Sequence, residues 1–401
     1  MLDNLKSAIA SSSLIKLLSI PIYIFRIFPI NTKKILCWNF AGTKGYGDSP
    51  KYIVEELSRR APDTYTIIWI VKSLKANSFP KYITPIKKYS IKYFYHIATS
   101  KFWILNTRSE EYFIKRKQQF YIQTWHSGLR LKKIEGDAIE QLPKYYVKNA
   151  KRDSKMIDIL ICGSSFSKQI YERAFWYSGT IVMTGTPRYD EYFDKKKFIA
   201  KGKETKQKLH IDKFDNVILY APTFRKNNPN FNGKLDYGKI NETLKTLNAV
   251  LLVKFHPGSS ATIQEFSHIK DVSRRDLQEL ISMSDLFITD YSGCCFDALL
   301  AKKPCVLYTP DLQDYLRNER ELYFNYVNLP FAKIDNQNSL ESIIKTKNYK
   351  KLTKRYCEFR KKIGSIEDGH ASERTAKIIL KENSKKMEQQ EHQSRRAPCL
   401  V

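Results

Sequence analysis

The stretch Leu286-Phe-Ile-Thr-Asp-Tyr-Ser-Gly-Cys-Cys-Phe-Asp-Ala-Leu-Leu-Ala-Lys-Lys-Pro-Cys-Val-Leu-Tyr308 contains two short apolar runs. The runs Leu286–Thr289 and Cys305–Tyr308 are predicted to be buried strands, and Cys294–Ala301 between them is predicted to be a helix. A strand, a crossover helix and a second strand are the repeating unit of a parallel sheet. The stretch therefore predicts an α/β fold.

The same alternation of strands and helices recurs along the whole chain. In the first half the predicted strands are Lys34–Phe40, Tyr65–Val71, Phe102–Leu105, Phe120–Trp125, Ile157–Cys162 and Ile181–Thr184. In the second half, strands at Val217–Tyr220 and Val250–Phe255 precede the stretch quoted above. Two Rossmann-like domains in succession, with parallel sheets facing an interdomain cleft, form the architecture called GT-B. A GT-B-like α/β fold is therefore predicted.

A Lys-rich, weakly apolar segment at residues 194–216 predicts the boundary between the two domains. The predicted division has four parts. They are an interfacial membrane-binding helix at 1–30, an N-terminal Rossmann-like domain at 31–195, a C-terminal Rossmann-like domain at 205–382, and a disordered tail at 383–401.

The chain is strongly basic, with a formal net charge of +28. Such a chain favours polyanions: nucleic acid, anionic lipid head groups or phosphate-rich substrates. One basic cluster comprises Lys148, Lys151, Arg152 and Lys155; a single cluster of this kind is typical of a solvated face. No helix-turn-helix, zinc-finger or RNP pattern is present, so no nucleic-acid partner is predicted.

The segment from Leu14 to Ile30 is apolar but interrupted by Lys16, Pro21 and Arg26. It is too short and too polar for a spanning helix, and it lacks a signal-peptide cleavage pattern. We expect it to lie on an anionic membrane surface as an interfacial helix. The alternative is a helix packed on the first domain. Peripheral attachment at the cytoplasmic face of the cell membrane is the predicted location.

Cysteine usage indicates a reducing compartment. The seven Cys are irregularly spaced and form no CxxC pair, which predicts neither disulfides nor a zinc site. The glycine turn Gly42–Gly47 has the order G-x-x-G-x-G, which is neither the dinucleotide fingerprint nor a P-loop. No Asp-x-Asp pair occurs. No metal and no cofactor are predicted.

Candidate reactive residues follow the predicted strands, because ligands of open parallel sheets bind at the carboxyl ends of strands. His126 follows the strand ending at Trp125, and His256 follows the strand ending at Phe255. A strand-end His is often structural. Two of them, one in each domain, predict general acid–base chemistry at a shared cleft, because imidazole exchanges protons near neutral pH.

Further strand ends carry groups suited to phosphate. Ser292 and Gly293 precede a predicted helix, whose first amides favour anions, although Ser292 is equally consistent with a simple helix cap. Arg188 and Arg225 also follow strands and are candidates for bidentate phosphate clamps. Either arginine is equally consistent with an ordinary surface loop.

Several sequence blocks resemble one known family. Gln123-Thr-Trp-His-Ser-Gly-Leu-Arg-Leu-Lys-Lys133 is similar to the Trp-His-Gly-Thr-Pro-Leu-Lys motif of the CDP-glycerol glycerophosphotransferases, the teichoic-acid primases and polymerases. The remaining blocks follow in that family's order: Arg173–Tyr177, Gly185–Asp190, Tyr220–Arg225, Lys254–Pro257, Ile288–Gly293, Phe296–Asp297 and Asp368–Arg374. The resemblance covers roughly residues 34–380.

The resemblance implies transfer of a polyol phosphate, glycerol phosphate above all, from a CDP-polyol donor to a lipid-linked or polymeric acceptor, with release of CMP. It makes 31–195 the acceptor domain and 205–382 the CDP-donor-binding domain. It also makes His126 and His256 the catalytic residues and Lys132 and Lys133 acceptor-binding residues. The implied donor-binding residues are Gly185, Arg188, Thr223, Arg225, Asp290, Ser292, Gly293 and Asp297. Two blocks depart from the pattern, after His126 and after Ser292, so the polyol or the acceptor can differ from the family's usual ones.

The predicted mechanism is direct displacement at phosphorus, with one His, preferably His126, deprotonating the acceptor hydroxyl. Exchanged roles for the two His are equally compatible with the sequence. Two other functions fit the same features. One is a GT-B glycosyltransferase that uses a nucleotide sugar for surface polysaccharide synthesis. The other is a basic, non-enzymatic protein that binds membranes or polyanions.

Overall fold

A computed structural model of the chain describes residues 17–74, 79–256, 258–264 and 266–396. The chain divides into two compact units. The first comprises the chain up to Gly128, Glu135–Asp190, and the segment from Ile366 onward. The second comprises Leu129–Ile134 and Glu191–Ser365. Each unit therefore consists of more than one stretch of the sequence.

The first unit is built on a sheet of seven parallel strands within the described residues. The strands are β1 (Asn31–Trp38), β2 (Thr66–Val71), β3 (Ile83–Lys87), β4 (Ser100–Leu105), β5 (Phe120–Gln123), β6 (Ile159–Cys162) and β7 (Thr180–Met183). Their order in the sheet is β3-β2-β1-β4-β5-β6-β7. Most are short apolar runs buried on both faces, as parallel strands covered by helices require.

The helices of this unit are α1 (Ile20–Ile24), α2 (Asp48–Arg60), α3 (Ile91–Thr99), α4 (Lys144–Ser154), α5 (Ser165–Ala174) and, after the second unit, α13 (Ala371–Arg396). Short 3₁₀ turns lie at Phe25–Ile27, Phe40–Gly42, Glu135–Gln141 and Pro187–Tyr192. Two helices begin at serine caps: the hydroxyl of Ser90 accepts from the amide of Tyr93, and Ser164 caps α5 in the same way.

The second unit has its own sheet of six parallel strands within the described residues. They are β8 (Asn216–Ala221), β9 (Ala249–Val253), β10 (Ile269–Asp271), β11 (Leu286–Thr289), β12 (Cys305–Tyr308) and β13 (Ala332–Ile334), in the order β10-β9-β8-β11-β12-β13. The helices are α6 (Lys195–Lys208), α7 (Tyr237–Thr246), α8 (Leu277–Met283), α9 (Cys294–Leu300), α10 (Leu312–Asn318), α11 (Gln337–Thr346) and α12 (Tyr356–Lys362), with 3₁₀ turns at Tyr326–Asn328 and Tyr349–Thr353.

Strand order identifies where each sheet is suited to bind a ligand. In each sheet the first strand of the series lies between the second and the fourth, so the order of the chain reverses there. In the first unit this reversal lies between β1 and β4, and in the second between β8 and β11. The crevice outside the carboxyl ends of strands at such a reversal is the usual ligand site of open α/β sheets.

Most predicted elements are confirmed, and two of the strands, Leu286–Thr289 and Cys305–Tyr308, are confirmed to the residue. The strands β3, β10 and β13 were not predicted from the sequence. All three are edge strands, which need less apolar sequence than central strands and tolerate a proline such as Pro85.

The predicted boundaries differ from the structure at the carboxyl end of the chain. Residues 366–382, expected in the second domain, belong to the first unit, because Ala376 and Ile379 of α13 are buried in its core against Ile53, Val54 and Leu57 of α2. Residues 383–396, expected to be disordered, continue α13; residues 397–401 lie outside the described residues.

Of the segment 1–30, the structure describes residues from Leu17 onward. Phe25 and Phe28 pack their rings on Tyr95 of α3. Ile20, Ile24 and Ile27 remain exposed. The segment therefore packs on the first unit and also exposes apolar side chains. None of the described helices combines the length and the hydropathy that crossing a bilayer requires.

Candidate active site

His126 lies three residues beyond the carboxyl end of β5, after a turn in which Trp125 adopts a left-handed backbone conformation, with φ of 54°. Its Nδ1 is 3.2 Å from the backbone carbonyl oxygen of Asn106, the residue that follows β4. A carbonyl oxygen only accepts hydrogen bonds, so Nδ1 carries the proton and donates it. The lone pair of the neutral ring is then on Nε2, so Nε2 is the ring nitrogen that can take a proton.

The imidazole of His126 is held between two aromatic rings. Its centroid lies 4.6 Å from that of Trp125 and 5.1 Å from that of Phe40. The buried side chain of Asn106 fixes Phe40 as well, because its Oδ1 accepts from the Phe40 amide at 2.8 Å. Its Nδ2 donates to Oδ1 of Asn39, also at 2.8 Å. Asn106 therefore orients the histidine through its carbonyl and the neighbouring ring through its side chain.

A buried network of ion pairs contacts Trp125, the residue that precedes His126. Arg108 donates to Glu135 at 2.8 Å and to Asp153 at 3.3 Å, and its guanidinium carbon is 5.7 Å from the centre of the Trp125 ring. Burial alone would lower the pKa of Arg108, but Glu135 and Asp153 more than offset it and the pKa is raised. The charge on Arg108 is therefore permanent, and it contributes to the rigidity of the loop that carries His126.

Two residues predicted to bind the donor belong to the first unit. Arg188 donates to the carbonyl oxygen of His126 at 3.3 Å and lies 3.8 Å from a carboxylate oxygen of Asp48. Gly185 has φ of 85°, and a Cβ at this position would meet Cβ of Ala371 at 2.9 Å. Arg188 thus lies beside the catalytic candidate, whereas Gly185 permits the close approach of the helix α13.

His256 is exposed, three residues beyond the carboxyl end of β9. Its Nδ1 accepts a hydrogen bond from the backbone amide of Gly258 at 3.0 Å. An amide only donates, so Nδ1 carries the lone pair and the proton of the neutral ring is on Nε2. The two histidines are therefore held in opposite tautomers: the environment of His126 makes Nε2 an acceptor, and that of His256 makes Nε2 a donor.

Arg225, predicted from the sequence to clamp a phosphate, has its guanidinium bound within the protein. Its guanidinium is buried, with Nε 2.8 Å from Asp311, Nη2 2.9 Å from Asp290, and Nη1 2.6 Å from the carbonyl oxygen of Thr223. Burial opposes its charge, but the two carboxylates raise its pKa. Because each of its nitrogens is already engaged, Arg225 is a positioning residue for the loop after β8.

Asp290 belongs to the same network of hydrogen bonds as Arg225. Its carboxylate accepts from the amide of Thr223 at 2.9 Å and from the amide of Tyr291 at 2.6 Å. The loops that follow β8 and β11 are thereby joined at the point where the strand order reverses. The hydroxyl oxygen of Thr223 is buried and has no hydrogen-bond partner among the residues that the structure describes. It is therefore an unused polar group at this strand end.

The other residues after β11 that were predicted to bind the CDP-polyol donor differ in burial and in hydrogen bonding. Ser292 and Gly293 are half-buried and precede α9, and Oγ of Ser292 accepts from the amide of Cys294 at 3.4 Å. Burial raises the pKa of the Cys294 thiol to about 11, which keeps it protonated. Asp297 is buried and accepts from the hydroxyl of Tyr192 at 2.8 Å, which indicates a structural role.

Lys132 and Lys133, predicted to bind the acceptor, belong to the second unit. Lys132 lies 5.3 Å over the ring of Tyr315, near Asp290 and Arg225. Burial is the main cause that lowers its pKa to about 8; Asp290 acts in the opposite direction and Arg225 in the same one. Lys133 pairs with Glu321 at the surface. The structure thus groups Lys132 with the predicted donor-binding loops.

Asn106 and Asp311 were missed by the sequence analysis. Asn106 directly follows β4, so the strand-end rule that found His126 applies to it as well. Asp311 is 86 residues from its partner Arg225, and no local pattern indicates that pairing. Among the described residues, no cluster of three or more His, Cys, Asp or Glu has the arrangement of a metal site.

Comparison with known proteins identifies the family. The sequence model of the CDP-glycerol:poly(glycerophosphate) glycerophosphotransferases matches residues 22–381. The chain is 31% identical to the teichoic acid poly(glycerol phosphate) polymerase of Bacillus spizizenii, covering 92% of this chain and 97% of that protein. It is 32% identical to the teichoic acid glycerol-phosphate transferase of Staphylococcus aureus, covering 84% and 90% of the two chains.

Solved structures agree with this relationship. A variant of the wall teichoic acid polymerase TagF superposes with a TM-score of 0.82 at 27% identity, covering 92% of this chain and 94% of that one. The same polymerase has also been solved after soaking with CDPG. The predicted GT-B-like α/β fold is confirmed. The chain belongs to the CDP-glycerol:poly(glycerophosphate) glycerophosphotransferase family, and it is a phosphotransferase enzyme.

Proposed function

We propose that this enzyme extends a lipid-linked or polymeric acceptor by one glycerol phosphate per turnover. The terminal hydroxyl oxygen of the acceptor attacks the phosphorus that bears glycerol in CDP-glycerol. A new phosphorus–oxygen bond forms, the bond from that phosphorus to the bridging oxygen of the diphosphate breaks, and CMP leaves with the electron pair. The hydroxyl proton passes to the enzyme. Direct displacement of this kind depends on positioning and on stabilising phosphate charge.

The observation that carries the mechanism is the hydrogen bond from His126 to the carbonyl of Asn106. Because Nδ1 holds its proton there, Nε2 is suited to accept the proton of the acceptor hydroxyl. The flanking rings of Phe40 and Trp125 restrict rotation of the imidazole. We assign His126 as the general base on these grounds.

His256 is assigned the complementary role. Its Nδ1 accepts from the Gly258 amide, so Nε2 of the neutral ring donates. A donor of this kind stabilises charge on a phosphate oxygen in the transition state. The opposite tautomers favour this division of roles over the exchanged one that the sequence left open.

Donor binding is assigned to the strand ends of the second unit. Lys132 supplies a positive charge, and the unpartnered hydroxyl of Thr223 supplies a hydrogen bond for a phosphate oxygen. Arg225 and Asp290 hold these loops in place. Ser292 and Gly293 are retained as proposed contacts of the diphosphate, through their backbone amides.

We also propose that the enzyme acts at the cytoplasmic face of the membrane, bound peripherally through the exposed apolar side chains of the segment from Leu17 to Phe28. Apolar side chains of this kind enter the interfacial region of a bilayer, and the positive charge of the chain favours anionic lipids. A lipid-linked acceptor would be held at that surface, which places the reaction beside it.

The donor test uses the purified full chain with CDP-glycerol, CDP-ribitol and a panel of nucleotide sugars, and it measures CMP release together with the mass of the product. We expect turnover with CDP-glycerol and a product heavier by one glycerol phosphate. Turnover with nucleotide sugars alone would refute the proposal. The family assignment already disfavours such a glycosyltransferase.

A further inference from the structure

Four exposed lysines form a single stripe along α4: Lys144, Lys148, Lys151 and Lys155. Their spacing of four, three and four residues returns each side chain to the same side of a helix with 3.6 residues per turn. Lys155 follows the last helical residue and keeps a right-handed helical backbone, with φ of −68° and ψ of −17°. At 1.5 Å per residue the stripe is about 16 Å long. It is a continuous cationic edge.

The stripe lacks counterions within the protein. Among the described residues, no carboxylate lies within ion-pairing distance of any of the four lysines. Basic side chains on the next helix are paired: Lys168 with Glu172, and Arg173 with Asp137. Like charges three and four residues apart on a helix repel one another and weaken it. Lys151 lies 5.7 Å from the centre of the Trp176 ring, a contact that leaves its charge unneutralised. A row of like charges that costs stability and is not neutralised by carboxylates is suited to an external anion.

The opposite face of α4 is fixed to the support of His126. The buried carboxylate of Asp153 accepts from the amide of Ser109 at 3.1 Å and from Arg108 at 3.3 Å. Arg108 in turn lies against Trp125, which packs on the imidazole. The stripe is therefore carried by the same rigid part of the first unit as the proposed general base.

The surroundings of the stripe favour a soluble polyanion over a bilayer. No large apolar side chain is exposed within α4, whereas interfacial binding to lipid requires apolar groups that enter the membrane. Such groups are concentrated elsewhere in the first unit, at Ile20, Ile24, Ile27 and Ile91. A row of charges on a helix that exposes no large apolar side chain of its own is instead typical of surfaces that follow a chain of phosphates.

We infer that the α4 stripe binds the phosphodiester backbone of the growing poly(glycerol phosphate) acceptor. This inference rests on the proposed function, which supplies an acceptor with one negative charge per unit. Successive phosphates lie along the lysines while the terminal hydroxyl reaches His126. Acceptors long enough to cover the stripe bind more tightly than short ones, and the advantage is screened by salt.

The test compares the full chain with its K144Q/K148Q/K151Q/K155Q variant, using soluble lipid-analogue primers that carry one, three, six or twelve glycerol phosphates. For the unmodified chain we expect KM to fall as the primer lengthens. In the variant we expect KM for the longest primer to rise about tenfold, from the loss of four exposed charge interactions. A matched variant, K195Q/K196Q/K203Q/K361Q, removes four other exposed lysines and should keep the length dependence.

The outcomes separate this inference from the proposed function. Transfer to the one-unit primer from CDP-glycerol tests the proposed function alone. If the unmodified chain transfers to that primer but shows no length dependence, the stripe inference is wrong and the function stands. An equal loss in both quadruple variants would also refute the inference, because net charge would then explain the effect. Weaker binding to anionic vesicles with unchanged KM would show that the stripe contacts membrane instead.

Discussion

The carbonyl oxygen of Asn106 and Nδ1 of His126 lie 3.2 Å apart, at the ends of the adjacent strands β4 and β5. This contact fixes which imidazole nitrogen can take a proton. The same asparagine binds Phe40 and Asn39 through its side chain. One residue therefore determines both the tautomer and the surroundings of the proposed base, although it does not contact a reacting atom.

Replacing Asn106 by alanine should slow the reaction without removing any catalytic group. The side-chain bonds that position the strand-end loop are lost, so the carbonyl and the imidazole are held less well. Losses of such orienting partners typically reduce activity by about 10- to 100-fold. We expect this reduction in kcat, with little change in KM for CDP-glycerol, measured by CMP release. A variant that raised KM and left kcat unchanged would place Asn106 in substrate binding instead.

Because the two histidines are held in opposite tautomers, we expect glutamine to replace one of them better than the other. The amide of glutamine can donate a hydrogen bond but is not a useful base. H256Q should therefore retain more activity than H256A. H126Q should be as inactive as H126A, with losses of about 10²- to 10⁴-fold for a missing general base.

Steady-state CMP release from the four purified variants checks this pattern, with circular dichroism as the control for folding. The reverse result, in which H126Q is active and H256Q is not, would exchange the roles assigned to the two residues.

The fold was largely predictable from sequence because buried parallel strands appear as short apolar runs bounded by polar turns. Leu286–Thr289 and Cys305–Tyr308 are examples. Edge strands are less apolar, which explains why Ile83–Lys87, with a proline at its centre, escaped detection. The return of α13 to the first unit depends on how Ala376 and Ile379 fit a core whose other residues precede them by more than two hundred positions, and local patterns do not indicate such a partner.

The candidate site was predictable in its positions but less so in its roles. The strand-end rule placed His126 after β5 and Arg225 after β8, and the structure has both residues at these strand ends. It could not show that Arg225 is occupied by Asp290 and Asp311, because a free and a paired arginine look alike in sequence. Nor could it show that Lys132 lies with Asp290, since that contact joins residues far apart in the chain.

Lys132 predicts a pH dependence of donor binding. Burial above all lowers its pKa to about 8, so its positive charge is present below that pH and is lost as the pH rises through it. We expect KM for CDP-glycerol to rise across this range. In K132R the charge persists, so the rise in KM with pH should vanish. In K132M the charge is absent, so KM should be high at every pH. If KM of K132M still rose with pH as it does in the unmodified chain, the rise would be due to another titrating group.

The same shift has a consequence for stability. An unfolded lysine keeps its proton up to about pH 10.4, whereas folded Lys132 releases its proton at about 8. Between these values the unfolded state binds more protons, so the contribution of Lys132 to the free energy of unfolding increases with pH. K132M should remove this increase. Urea unfolding of both proteins at pH 7 and pH 9.5 measures the difference.

The segment from Leu17 to Phe28 predicts how the enzyme meets the membrane. Ile20, Ile24 and Ile27 expose 49%, 57% and 78% of their surfaces, whereas Ile22 is buried and holds the segment on the first unit. Replacing the three exposed isoleucines by serine should leave the fold intact. Each isoleucine that enters a bilayer contributes about 1.5–3 kcal/mol when fully buried, so partial burial of three predicts a loss of vesicle binding on the order of a hundredfold.

Sedimentation with vesicles of mixed neutral and anionic phospholipid measures this loss, with I199S as the matched control, since Ile199 is 70% exposed in the second unit. Raising the salt concentration should weaken binding of the unmodified chain further, because the positive charge of the protein is then screened. Insertion of apolar side chains is insensitive to salt, so part of the vesicle binding should persist at high salt. That part should disappear in the triple variant. Equal vesicle binding by the triple variant and the unmodified chain would mean that these isoleucines do not enter the bilayer, and attachment would then have to come from charge alone.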